Sequence, residues 1–314
     1  MTNENPGNGT PTERSARVKE WAKACGFSAC GIADAGFDLA NFPYKPFYSE
    51  EITELAYLLR NSQILNNPKL LMPSAQSIVA LLYNYYPAHI QPETGHFIVA
   101  KYAYGKDYHK VMKRKLDELI RKILEGFGKA EIRGFSDSGK IREKIWAQQC
   151  GIGWQGKNTL IINPHLGSFS FIGILLTDIV LTPDPPETDH CANCTRCVDA
   201  CPTGALANPY TLNPSRCISF LTIESKKPFP EELPGLFHDR IYGCDICQDI
   251  CPFNKKAIPS KEPDFIPTEE FLLMRKKDWS ALSEERFAQL FKNSPLNRVG
   301  FSKISSTIRQ IKNR

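Results

Sequence analysis

No stretch of this 314-residue chain reaches the roughly 18–20 uncharged apolar residues that a membrane-spanning helix needs. The nearest, SFSFIGILLTDIVL (168–181), is short, interrupted by Asp178 and rich in β-branched residues, which predicts one or two buried strands. The N-terminus, MTNENPGNGTPTERSARVKEW, lacks the apolar core of a signal peptide, and residues 1–14 read as a disordered leader. Acidic residues are absent from Arg286 onward, whereas Arg286, Lys292, Arg298, Lys303, Arg309, Lys312 and Arg314 are all basic. Such a tail is either a solvated helix face or a surface for phosphates. Without a secretion signal the expected location is cytoplasmic, and eleven cysteines in that reducing setting imply metal ligation or catalysis rather than a disulfide framework.

Apolar content of 42% and charged content of 23% describe a globular chain with ample core. Thr12 and Glu13, with Val18, Trp21 and Ala22 behind them, predict a helix to about Cys25. Strands are expected at SACGIADA (28–35), SIVALLYNYY (77–86), FIVAKYAYG (97–105), AEIRGFSDSG (130–139), NTLIIN (158–163) and 168–181. Helices are expected at ITELAYLLRN (52–61), from an Asp107 N-cap to Gly126, and at IREKIWAQQCG (141–151). This alternation implies an α/β (α+β) domain over 15–183. Prolines at 183, 185 and 186 mark a boundary, a cysteine-rich domain follows over 184–260, and 261–314 reads as a helical basic segment packing back on the body.

Cys191-x2-Cys194-x2-Cys197-x3-Cys201-Pro202 has the rhythm of bacterial ferredoxins, in which the last cysteine serves the other cluster of a pair. Cys244-x2-Cys247-x3-Cys251-Pro252 repeats it, with Ile241 where a further cysteine is expected and the isolated Cys217 as the replacement. Crossing then assigns Cys191, Cys194, Cys197 and Cys251 to one 4Fe–4S cluster, and Cys201, Cys217, Cys244 and Cys247 to the other. Paired CxxC motifs also build four-thiolate zinc sites, but the x2, x2, x3 rhythm and both Cys-Pro endings weigh against that. Cys25, Cys30 and Cys150, set among apolar or small residues, read as buried thiols.

GIGWQG (151–156) matches G-x-G-x-x-G, yet a helix precedes it and a strand follows, the reverse of a dinucleotide site, and Trp154 would crowd a pyrophosphate. Asp107-Tyr108-His109 begins like a corrinoid D-x-H-x-x-G motif, but Met112 stands where glycine is required, leaving Asp107 as an N-cap. Asp137, where a strand ends before a helix, reads from its own context as an ordinary turn residue or cap.

Taken together, GKDYHK (105–110), SDSGKIREKIWAQQCGIGWQGKNTLIINPHLGSF (136–169), the ferredoxin block, RCISFLTIE (216–224) and YGCDICQDICPFN (242–254) resemble epoxyqueuosine reductase, from about residue 15 to the end. The resemblance implies a cobalamin- and two-cluster-dependent oxidoreductase that reduces the epoxide of epoxyqueuosine in tRNA to queuosine. It implies Asp137 as proton donor, with burial beside cob(II)alamin raising its pKa. It further implies cobalamin contacts at Ala100, Ile161, Ile172, Ser219 and Asp245, substrate or RNA contacts at Thr222 and Arg298, and an external electron donor such as flavodoxin or ferredoxin. A monomer is expected. Two departures stand out: Leu65 in ILNNPKLL replaces a family arginine, which Arg60 or Lys69 would have to supply, and Ser305-Ser306-Thr307 replaces a second Arg-Asn pair. The competing readings are a corrinoid reductase of a small molecule and a ferredoxin-type electron carrier.

Overall fold

Ser77–Asn84 is apolar at nearly every position, a pattern that suits a strand covered on both faces. The computed structural model describes residues 9–37, 39, 62–137 and 139–312 and places this run inside a four-stranded sheet. The elements of this part are α1 (Pro11–Ala24), β1 (Ala29–Asp34), α2 (Ser62–Asn66), β2 (Ser77–Asn84), β3 (Ile98–Val99), α3 (Tyr108–Phe127), β4 (Ile132–Phe135), α4 (Glu143–Gln149), β5 (Trp154–Gln155), β6 (Ile161–Ile162) and β7 (Ser170–Thr177). Strand order is β1-β2-β7-β4, and every neighbour is antiparallel, with Ile32 opposite Val79 and Ala80 opposite Ile174. The expected α/β (α+β) class therefore takes its α+β form.

Alternation along β2 sends Val79, Leu81 and Tyr83 to one face, where they meet Val18 and Ala22 of α1 and Val111, Met112 and Leu116 of α3. Ile78, Ala80 and Leu82 point the other way, onto Ile145, Trp146 and Ala147 of α4. Helices on both faces explain why the strand has no polar stripe.

The cysteine-rich part contributes α5 (Arg196–Asp199), α6 (Ile218–Ile223), β8 (Arg240–Tyr242) and α7 (Ile246–Asp249). β8 pairs in parallel with β3, so chain segments about 140 residues apart are joined by backbone hydrogen bonds. Five C-terminal helices follow: α8 (Glu269–Leu273), α9 (Lys276–Ala281), α10 (Glu284–Leu290), α11 (Leu296–Val299) and α12 (Phe301–Lys312). Their Phe271, Trp279, Phe287, Phe291 and Ile304 share one apolar cluster with Phe97, Val99, Ile241 and Tyr242. Among the described residues, no helix is long and apolar enough to cross a membrane.

Several local expectations shift. Thr10, not Thr12, caps α1, through a capping box with Glu13, so residues 11–14 belong to a helix rather than to a leader. α3 runs through Gly126 and stops at Gly128 (φ 82). FIVAKYAYG keeps only two strand residues before Lys101–Ala103 turn into a 3-10 helix, and NTLIIN keeps only Ile161–Ile162. The expected helix at 52–61 lies outside the described residues, as does Arg60. Leu65 is buried, and Arg142 Nε donates to Asn66 Oδ1 beside it at 2.7 Å.

Gly31 is required in β1 because a Cβ there would lie 1.9 Å from the Cys150 carbonyl oxygen. Gly31→Ala must push β1 from the end of α4, and overpacking of this kind costs about 1–3 kcal/mol. A lowered denaturation midpoint in urea is the expected result.

Candidate active site

The two cysteine runs fold alike. α5 and α7 are each four residues long, follow a residue near φ −115°, ψ 6° (Thr195 at −120°, 5°; Asp245 at −110°, 7°), and lie in contact. Across the two runs Cys197 stands near Cys251, and Cys201, Cys217, Cys244 and Cys247 line one cavity, with Cys197 also near Cys247. Burial, then the neighbouring Cys191, Cys251 and Cys194, pushes the Cys197 thiol up to about 11. Burial likewise raises Cys251, with Cys191 and Cys194 beside it. In the second set, burial pushes Cys244 up to about 12, with Cys217 adding to it, and holds Cys247 well above its ordinary value with Cys244 and Cys217 close by. All eight are free of disulfides. Cys251 is buried and the other seven are half-buried, and thiols gathered in this way suit a cationic centre that draws off their protons. Cys25 and Cys150 are buried and Cys30 partly so; burial pushes Cys25 to about 11 and Cys30 to about 12, as expected of inert thiols.

Cys201, Cys217, Cys244 and Cys247 line a cavity of about 280 Å³ together with Ala100, Ser219 and Asp245. A second cavity of about 310 Å³ holds Asp137, Tyr108, His109 and Arg298, and both are bordered by Tyr102, Leu212, Cys217 and Ser219. Asp137 and the second cysteine set thus line two adjoining cavities that have these four residues in common, Cys217 among them.

Asp137 follows β4 with φ 60°, a left-handed conformation that costs a non-glycine residue about 1–2 kcal/mol. Its backbone N–H donates to Glu143 Oε1 at 2.5 Å, in the first turn of α4. Its carboxylate, about half exposed, accepts from Tyr108 Oη at 2.5 Å and meets His109 Nε2 at 3.1 Å, while His109 Nδ1 meets Asp107 Oδ1 at 2.7 Å. With a carboxylate at each nitrogen, the imidazole donates on both sides and is charged. The Asp137 hydrogen bond, backed by Asp107, outweighs burial and raises His109. The expectation that burial raises Asp137 is corrected: the His109 bond, aided by Tyr108, outweighs burial and holds the carboxyl below its ordinary value. The displaced proton preference falls on Glu143, which burial and then the charge of Asp137 push up to about 8. Burial lowers Lys144, whose Nζ donates to Thr159 O at 2.9 Å.

Comparison with known proteins now fixes the lineage. Residues 66–138 match the family described as "Epoxyqueuosine reductase QueG, DUF1730", and residues 190–254 match a 4Fe-4S double cluster binding domain. An epoxyqueuosine reductase of Cellulophaga algicola is 39% identical over 301 residues, covering 95% of this chain and 98% of the relative. The chain belongs to the epoxyqueuosine reductase family. It is an oxidoreductase with a double 4Fe–4S region. The Escherichia coli epoxyqueuosine reductase is 36% identical, with 90% of this chain and 76% of that protein covered. Among solved structures, an epoxyqueuosine reductase bound to an epoxyqueuosine-modified tRNA-Tyr stem loop superposes with TM-score 0.80 at 31% identity, covering 96% of this chain and 81% of that one. The Bacillus subtilis epoxyqueuosine reductase, solved with its catalytic loop swung out of the active site, gives TM-score 0.80 at 31% identity, with 96% and 82% covered.

Against this family background, Ala100, Ser219, Asp245, Asp137 and Arg298 line the two cavities, and Arg298 donates to Glu224 Oε1 at 2.5 Å. Ile161 and Ile172 instead pack in and against the apolar cluster beneath α4. Thr222, expected as a substrate or RNA contact, is 0% exposed, its hydroxyl donating to Ile218 O and accepting from Gly243 N–H. In the basic tail Arg286 pairs with Glu270 and Arg298 with Glu224, Lys303 donates to Ser225 O and Lys312 to Ser280 Oγ, while Arg286, Lys292, Arg298, Arg309 and Lys312 all remain exposed. Sequence reading passed over Tyr108, His109, Glu143 and Lys144. His109 was visible in GKDYHK but was dismissed with the failed corrinoid motif, while nothing in the spacing of IREKIW links Glu143 to Asp137.

Glu143 carries a pH signature. Its folded pKa, about 8, lies above the unfolded value near 4.5, so the folded state loses stability as pH rises between those values. Glu143→Gln keeps an acceptor for the Asp137 N–H but cannot ionise. The variant should melt higher than the parent at pH 9, and the difference should shrink toward pH 5.

Proposed function

We propose that this protein reduces epoxyqueuosine to queuosine in the anticodon loop of tRNA, with Asp137 supplying the proton to the departing oxygen. The observation that carries this reading is the pair of adjoining cavities, one lined by Asp137 and Cys217, the other by Cys201, Cys217, Cys244 and Cys247. Converting an epoxide to an alkene takes up two electrons and two protons and releases water. Cys191, Cys194, Cys197 and Cys251 would hold one 4Fe–4S cluster, and the other four cysteines the second. The first cavity suits a corrinoid: its walls are apolar at Ala100, Leu160, Ala205, Leu206, Ile218 and Ile246, with polar groups at Asn158, Thr159, Ser219 and Gln248 and at Asp245, itself buried against Lys101. When bound, cobalamin supplies a strongly reducing, nucleophilic metal centre, and the clusters supply single-electron steps from an external carrier such as flavodoxin or ferredoxin.

The chain's own part is proton and position. His109, charged between Asp107 and Asp137, holds the proton that Asp137 must pass on, so the pair acts as one acid. An alkoxide is a poor leaving group, and a positioned acid near the operating pH lowers that barrier. Tyr108 orients the carboxylate and Glu143 pins its backbone. Arg298 stands in the wall of the Asp137 cavity, and Lys292, Arg309 and Lys312 extend positive charge along the exposed C-terminal helices for the tRNA phosphates.

The decisive experiment is nucleoside mass analysis of tRNA from a strain lacking this protein. Epoxyqueuosine should accumulate there; unchanged queuosine would sink the proposal. Asp137→Asn should bind the tRNA stem loop normally and retain both clusters while turnover falls about 10²–10⁴-fold, the usual worth of a positioned acid. Normal turnover would remove Asp137 from the chemistry.

A further inference from the structure

The glycine-rich run GIGWQG has no dinucleotide to serve, and its tertiary role lies with its tryptophan. Gly151, at φ 72°, turns the chain out of α4, and at Gly153 a Cβ would come within 2.6 Å of the Ile162 carbonyl oxygen. These positions let β5 lie tightly on β6 and direct the Trp154 side chain inward. The indole is 0% exposed, edge-on to Phe253 (centroids 4.8 Å, 77°) and to His190 (4.7 Å, 66°). It shares an apolar cluster with Cys251, and Cys191 packs against that cluster. Its Nε1–H donates to Cys191 Sγ at 3.4 Å. By contrast, the buried indole N–H groups of Trp146 and Trp279 make no hydrogen bond among the described residues. Three tryptophans are enclosed, and only this one is aimed at a thiol of a cysteine quartet.

We infer that Trp154 is a redox-tuning residue whose indole N–H raises the reduction potential of the cluster held by Cys191, Cys194, Cys197 and Cys251. One-electron reduction adds negative charge that spreads onto the thiolate sulfurs. A fixed N–H donor stabilises that extra charge more in the reduced than in the oxidised state. Burial among Phe253, His190 and Ile162 keeps water from screening the interaction. The indole is thus a side-chain donor that eases electron entry at the cluster farther from Asp137. The inference rests on the cysteine assignment given under the proposed function.

Trp154→Phe retains an aromatic ring and removes the donor. In an EPR-monitored redox titration of the full-length protein with both clusters, one midpoint potential should fall and the other should stay. No shift, or an equal shift of both, overturns the inference. An iron content in the parent protein below the complement of two 4Fe–4S clusters would instead overturn the cysteine assignment. Should the variant fail to load iron, the parent protein answers the question after growth on tryptophan labelled with ¹⁵N in the indole. Pulsed EPR of the reduced protein should then show ¹⁵N hyperfine coupling at one cluster, and its absence overturns the inference.

Discussion

The two cavities exist because β3 and β8 pair. Ile98 N–H donates to Asp239 O and Ala100 N–H to Tyr242 O, each at 2.8 Å, and Lys101 N–H continues the line to Asp245 Oδ2 at 2.7 Å. Lys101 is buried, 7% exposed at its side chain, and its ammonium sits 3.6 Å from Asp245 and 2.7 Å from Asp249. A charge enclosed in this way must be matched, and removing one partner of such a pair is strongly destabilising. Short as it is, this joint holds Cys244 and Cys247 in fixed relation to Ala100 and Tyr102, and hence to the cavity that carries Asp137. Thr222 closes the same joint from the far side through Gly243, which is why a residue expected to contact substrate or RNA is fully buried.

At the Asp137 cavity, Asp137, Glu143 and His109 partition the available protons. Asp107 does two jobs, capping α3 through the His109 N–H and holding the His109 ring. Asp137 is kept ionised by its donors although partly enclosed, while Glu143, denied comparable donors, retains its proton near neutrality. Neighbouring acids with divergent affinities are the usual mark of a site that moves protons. The left-handed backbone at Asp137 belongs to the same economy of constraint: Glu143, Tyr108 and His109 together hold one residue in a conformation it would not choose alone.

Much of this was legible in the residues. The cysteine spacing predicted two clusters, because a thiolate must reach a cluster from a loop of fixed length, and residues 190–254 match a 4Fe-4S double cluster binding domain. The uninterrupted apolar run of β2 predicted a strand, and the fold buries it on both faces. Less was legible wherever the partner lies far along the chain. FIVAKYAYG looked like a full strand by composition, but only two residues find a partner in β8 before Lys101 turns away to its aspartates. Asp137 could be named only by resemblance, and its ionisation was misjudged, because burial is visible from apolar neighbours whereas donors brought in by α3 are not.

What the sequence by itself determined is whatever follows from local spacing: the cysteine rhythm, the Asp107 cap and the reversed order around GIGWQG. Only the tertiary structure decided that the sheet is antiparallel, that His109 and Glu143 reach Asp137, and that Trp154 points at a cysteine ligand. Each of those depends on through-space contact between segments that the chain separates, and electrostatic balance at such a contact is set by every group that arrives there.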